Sequence, residues 1–234
     1  MNIVDFSQLP TPTLIKELDF ETLLNARKEK FIALYPASEQ QKWRSVLSRE
    51  SEPVVKILQE NTYLEMLYQN KCNADARSLL LAYAEGEDLD HLALTEYGLT
   101  RLIVTPEDIS ATPPLPAVYE SDERLKERCI LSFDGMNTAG SANAYRYFTL
   151  SADGRVDGIK VRSEQDSPYL LDVVITQVDS VNGQASEELV SIVQAALDPD
   201  HVRPICDRPT VKSSLATNYQ IEAVLYVGKN AEDA

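Results

Sequence analysis

Apolar side chains recur at three- and four-residue spacing through residues 14–98 and again through 120–152, and only beyond Asp153 does the pattern change to short β-branched runs. The first period predicts helices and the second strands. From Asp19, the residues Phe20, Leu23, Leu24, Arg27, Phe31 and Leu34 share a helical face, and Pro36 ends it. Ser38 and Gln41 have the spacing of a capping box ahead of a second helix through Trp43, Val46 and Leu47. Pro53 suits the first turn of a third helix, where a missing N–H costs little. Val54, Ile57, Leu58, Leu64, Leu67 and Tyr68 form its expected packing face. Ala76, Leu79, Leu80 and Tyr83 form another, which Gly86 stops, and a short helix from Asp88 to Tyr97 ends at Gly98.

Residues 1–13 are broken by Ser7, Pro10 and Pro12 and predict an extended arm, with Pro12 also suited to a short helix capped by Thr11. Ile3, Val4, Phe6 and Leu9 make that arm apolar enough to dock on a neighbour. Residues 99–119 carry Pro106, Pro113, Pro114 and Pro116 and predict an extended, irregular connector. Residues 120–152 form a two-helix joint. Ser121 caps the first helix, which carries Leu125, Cys129 and Phe133 on one face; Gly135 to Ser141 breaks it, and Tyr145, Phe148 and Ala152 mark the second.

Residues 153–234 predict a small strand–strand–helix–strand sheet, which sets the class of the chain as α+β with a mostly helical N-terminal half. Val156 to Arg162 is the first strand, with Gly158 as a bulge. Tyr169 to Gln177 is nearly all apolar, which predicts cover on both faces. Asn182-Gly183 turns the chain, and Ser186 caps a helix whose Leu189, Ile192, Val193 and Ala196 face the sheet. Strands around Thr210–Ala216 and Tyr219–Val227 follow. With one helix to cover it and only a short polar tail after Val227, the sheet is expected to be incomplete, truncated at its C-terminus, with some of Leu170, Val174, Leu215, Val224 and Tyr226 left for a partner.

Composition narrows the partners. The net charge is -15, and acidic residues outnumber basic ones in both halves. No basic surface is predicted for nucleic acid, and none for an anionic membrane. No apolar run approaches the roughly 20 residues of a membrane helix. The three cysteines, Cys72, Cys129 and Cys206, are scattered and predict reduced thiols in a protein made in the cytoplasm.

Candidate chemistry is sparse. Gly135-Met-Asn-Thr-Ala-Gly-Ser has the glycine spacing of a phosphate-binding loop, but Ser141 stands in the place of the lysine and no strand precedes it. Asp198, Asp200, His201, Cys206 and Asp207 mix hard and soft ligands at no known metal spacing and predict a charged turn. His91 among Asp88, Asp90 and Glu96 lacks the HExxH form and predicts a solvated helix face. No catalytic, cofactor or metal residue is assigned, and acidic pairs are too common in this chain for a glycosidase pair to be selected.

Several stretches nevertheless have a familiar form. Glu120-Ser-Asp-Glu-Arg-Leu-Lys-Glu-Arg, Thr138-Ala-Gly-Ser and Ala144-Tyr-Arg-Tyr-Phe resemble the baseplate J-like family of contractile phage tails. So do His201-Val-Arg-Pro-Ile-Cys-Asp-Arg-Pro-Thr-Val and Leu79-Leu-Leu-Ala-Tyr-Ala-Glu-Gly-Glu-Asp-Leu-Asp-His-Leu-Ala. Val4-Asp-Phe-Ser-Gln-Leu-Pro and Leu34-Tyr-Pro are similar to the P2-type members. The resemblance runs along nearly the whole chain and includes no catalytic motif. It implies a structural baseplate wedge component in a phage or a phage-derived injection machine, without cofactor or enzymatic activity. It also implies copies of the chain and other wedge proteins around a six-fold tail, and contact with tail-fibre attachment proteins. A tail-associated hydrolase and an unrelated protein-binding adaptor are the competing readings.

Overall fold

The computed structural model describes residues 6–136 and 139–224. These form two compact units, one of residues up to Thr100 with Ser121–Ile130, the other of Arg101–Glu120 with the residues from Leu131 onward. The class is the expected one, α+β with a helical N-terminal half and a small sheet after it.

In the helical unit, Pro12 starts no helix; its carbonyl closes a turn with the Ile15 N–H at 3.0 Å. α1 (Phe20–Ala33) is capped by Asp19, whose carboxylate accepts the Thr22 N–H at 2.7 Å. That bond holds the Asp19 carboxyl below its ordinary pKa. α2 (Ala37–Leu47) begins two residues earlier than the capping box requires: Pro36 is the N-cap, and Ser38 lies inside the first turn. α3 (Pro53–Ser78) opens on its proline as expected. It ends well before Gly86, residues 79–83 are turns, and Gly86 instead starts α4 (Gly86–Tyr97). Gly98 ends α4 at a φ of 68°, the left-handed conformation that side chains resist, so that its N–H and that of Leu99 reach the Leu94 and Ala93 carbonyls.

The core of α1–α3 is Leu24, Ile32, Leu47, Val55 and Leu58, flanked by Phe20, Phe31, Trp43 and Val54. Tyr35 stacks on Trp43 at 4.5 Å between centroids, and Phe31 meets the indole edge-on at 5.4 Å. Asn73, buried on α3, accepts the Lys16 N–H at 3.0 Å and donates to the Lys16 carbonyl at 2.8 Å, which pins the segment ahead of α1 as a paired strand would. The packing face of α3 is therefore Val55, Leu58, Thr62, Asn73 and Ala76. The expected face is overturned: Ile57, Leu64, Leu67 and Tyr68 are all exposed. Leu34 and Leu79 are exposed too, each as the residue just past its helix.

α5 (Asp122–Gly135) buries Leu125 and Cys129, but Phe133 is 62% exposed. A four-residue step overshoots the 3.6-residue turn, so the face drifts, and Arg128, Leu131 and Ser132 occupy it instead.

In the second unit, β1 (Ile103–Thr105) pairs antiparallel with β2 (Val118–Tyr119), and Asp108 bridges to Leu115. The Pro-rich stretch thus folds back on itself instead of running irregular. α6 (Ala142–Ala152) is capped by Ser141, whose hydroxyl accepts the Ala144 N–H at 3.1 Å. β3 (Val156–Ser163) pairs antiparallel with β4 (Leu170–Gln177), and the register shifts between Val156 and Gly158, where the bulge was expected. Asn182 and Gly183 turn the chain with φ of 60° and 70°. α7 (Glu187–Leu197) is capped by Ser186, and β5 (Arg208–Ser213) pairs parallel with β4.

α6 packs on β3, α7 on β5, and the helices on each other, so both cover one face of the sheet. That face carries Leu171, Val173, Ile175 and Val211 against Leu189, Val193 and Leu197, with Ile192 and Ala196 half-buried at the flank. β4 alternates buried and less buried residues, so only one of its faces is covered, contrary to its apolar sequence. The other face is mixed: Leu170 and Val174 are left there, exposed and half-buried, beside Lys212 paired to Asp172 at 2.6 Å. No strand forms over residues 219–224; Leu215, Tyr219, Ile221 and Val224 are highly exposed, and 225–227 lie outside the described residues.

Candidate functional site

The residues with the most chemical potential in the sequence gather in the sheet unit. Gly140, at a φ of 71°, lies so close to the loop before β5 that a Cβ there would come within 2.8 Å of the Asp207 carboxylate and 2.7 Å of Pro204. Glycine is required on both counts. The close approach brings the Tyr145 hydroxyl within 2.7 Å of Asp207, to which it donates. Burial first, and then that bond to a carboxylate, push the Tyr145 pKa well above the usual phenol range. Arg203 closes the loop by donating to the carbonyls of Asp198 and Asp207, both at 3.0 Å.

A cleft of about 360 Å³ opens beside this junction, lined by Gly140, Tyr145, Val161, Ser163, Leu171 and Asp207 among others. Its one carboxylate is engaged by Tyr145, and its lining holds no histidine, cysteine, lysine or arginine. The arrangement fastens a helix to a loop, and the Tyr145 hydroxyl occupies an oxygen of the one carboxylate in the lining.

The other sequence candidates are dispersed. Ser141 spends its hydroxyl on the α6 cap, while Asn137 and Thr138 lie outside the described residues. His201 and Cys206 are exposed on the loop that Arg203 closes, and no group of three His, Cys, Asp or Glu side chains among the described residues could hold a metal. His91 is exposed on α4, where its carbonyl accepts the Thr95 hydroxyl. No helix among the described residues is long and apolar enough to cross a membrane.

What the molecule does present is apolar surface. In the helical unit, Ile57, Tyr63, Leu64, Leu67 and Tyr68 stand along the outer side of α3, each about half exposed or more. In the sheet unit, Tyr219, Ile221 and Val224 are highly exposed on the segment that follows β5. The α3 surface was legible in principle. Apolar residues occur all round this helix, and a helix of a small unit can bury only one side against its own chain.

Two comparisons give these surfaces a context. Residues 50–108, which hold α3, α4 and β1, match the model of the baseplate J-like N-terminal domain. The chain is also 44% identical over 227 residues to baseplate protein J of Escherichia phage P2, covering 97% of this chain and 74% of that protein. The Gly140–Asp207 junction unites three of the stretches in which the resemblance to such proteins was read. The chain belongs to the baseplate J-like family.

Proposed function

We propose that this protein is a structural component of a phage tail baseplate. Near-full-length identity of 44% to the P2 baseplate protein carries the reading. Within it, the chain acts as a wedge protein of a contractile tail, repeated around the six-fold axis, in contact with other wedge proteins and with the proteins that attach tail fibres. It acts as a building block and performs no reaction: the Tyr145 hydroxyl and the Asp207 carboxylate beside the cleft bond to each other and fasten a helix to a loop. It is made in the host cytoplasm and resides in the virion tail.

The large exposed apolar residues on α3 and after β5 support this reading, because surfaces of this kind on a folded chain mark contacts with other proteins. The test is to delete the gene from the phage or prophage that carries it and examine the particles by electron microscopy. Tails lacking a complete baseplate, restored by the gene in trans, are the expected result. Normal fibred baseplates and unchanged plaque yield without the gene would overturn the proposal.

A further inference from the structure

We infer that the outer edge of β3 takes an added strand from another protein, an extended segment that alternates apolar and acidic residues. The sheet runs β3–β4–β5, so β3 and β5 each have one edge without a partner strand. The edge of β5 is closed. The Arg208 and Ser214 N–H groups reach the Tyr169 and Ile175 carbonyls on the β4 side, 2.7 and 3.0 Å away, so Pro209, Val211 and Ser213 point their backbone groups outward. Pro209 has no N–H to offer, and the Gln194 amide of α7 donates to its carbonyl at 3.0 Å and accepts the Val211 N–H at 2.9 Å. A proline and a covering side chain keep a further strand off that side.

The edge of β3 has no such cover. The Glu164 N–H reaches the Leu170 carbonyl at 3.2 Å, which fixes the alternation: Lys160 and Arg162 bond toward β4, and Ile159, Val161 and Ser163 turn N–H and carbonyl outward. Among the described residues nothing bonds to those outward groups. The side chains of the same three residues lie on the helix-covered face, and Val161 and Ser163 line the cleft of about 360 Å³ with Leu171 and Tyr145. On a strand added here, an apolar side chain opposite Val161 would enter that cleft. On the open face the edge carries Lys160 and Arg162, both exposed and without an ion pair among the described residues. Asp172, opposite Arg162, is taken by Lys212. These two cations select the occupant. Two copies of the edge paired antiparallel about Val161 would set Lys160 against Arg162, like charge against like, so the edge rejects a second copy of itself. A strand with acids opposite Lys160 and Arg162, and apolar residues opposite Ile159 and Val161, matches both the charges and the apolar side. The edge lies wholly within the sheet unit, and its chemistry is independent of the baseplate reading.

The test titrates the full chain with a labelled peptide of alternating valine and glutamate, read by fluorescence anisotropy, while backbone amide exchange locates the contact. Saturable binding is expected, with added protection at Ile159, Val161 and Ser163 and none at Val211. Lys160→Glu combined with Arg162→Glu should weaken binding of this peptide on the order of tenfold or more and transfer the preference to a valine–lysine peptide. Both side chains are exposed, so the fold should be kept, which circular dichroism checks. N-methylation of the peptide at one set of alternate residues should abolish binding and at the other set should leave it, because only one edge of an added strand faces β3. No saturable binding of the valine–glutamate peptide would overturn the inference. So would equal binding of the valine–lysine peptide by wild type, or protection confined to other amides. Edge amides already protected in the free chain and released by deleting residues 214–234 would put the chain's own segment on the edge, and would overturn it as well.

Discussion

Leu58 and Leu64 offer a controlled test of which side of α3 is core. Both are leucines in the middle of one helix, and leucine and alanine have nearly equal helix propensity, so replacing either by alanine isolates the burial term. Leu58 is 9% exposed and Leu64 is 53% exposed. The substitution removes three carbons, worth about 2.4 kcal/mol when fully buried, at about 0.8 kcal/mol per methylene. At Leu58 nearly all of this applies, and a cavity is left among Leu24, Leu47 and Val55, so the loss should reach about 2.5–4 kcal/mol. At Leu64 less than half applies and no cavity forms, so the loss should be about 0.5–1 kcal/mol. Urea titration followed by fluorescence reads this directly: Trp43 is the sole tryptophan and flanks the same core. Dilute protein keeps any dimer out of the measurement. Equal midpoint shifts for the two variants, or a larger one for Leu64→Ala, would refute the assignment of the buried face.

Asn73→Leu should cost about 1–3 kcal/mol in the same titration, because the Lys16 N–H and carbonyl both lose their partner, and a conservative return to Gln should not restore it. Gly154→Ala should destabilise by about 1–3 kcal/mol, since its Cβ would press on the Ile103 carbonyl oxygen, a backbone atom that cannot swing away; thermal melts of the full chain check this. Tyr145 should stay protonated above the ordinary phenol range. The folded state then holds a proton that the unfolded chain releases, so the Tyr145 contribution to stability is complete below about pH 10 and is lost as pH rises through and beyond that value. Tyr145→Phe should flatten the alkaline limb of the stability–pH curve, which urea midpoints between neutral and high pH would show.

The parts of the fold that were legible in the sequence are those set by local chemistry. Ser121 and Ser186 each accept an N–H in the first turn of the helix that follows, and the chain turns at Asn182-Gly183 and bulges beside Gly158. What the sequence misled on were choices between two locally equivalent answers. Ser38 has the spacing of a cap, but Pro36 already fixes an extended conformation two residues earlier and the helix starts there. β4 is apolar on both sides, yet only one side meets helices; nothing local in Leu170 to Gln177 distinguishes the two. The Tyr145–Asp207 bond joins residues far apart in the chain, and the only trace of it in sequence is Gly140, whose backbone must pass where no Cβ fits.

The same ambiguity explains why α3 was misjudged, and it bears on what the protein is for. A helix with apolar residues on two sides reads as a deeper core helix, because periodicity records burial without recording which chain does the burying. Here one side is filled by Leu24, Ile32 and Leu47 of the same chain, and the other has no counterpart among the described residues of its unit. An assembly protein must satisfy two demands with one helix: enough intrachain packing to fold before it meets its neighbours, and enough apolar surface left over to hold them. The acidic surplus fits that division, because a net charge of -15 keeps free copies apart over distance. Close association then depends on short-range apolar contact. Raising the salt concentration should therefore strengthen association of free copies in sedimentation, because it screens the repulsion and leaves the apolar contact in place; association that falls as salt rises would refute this division.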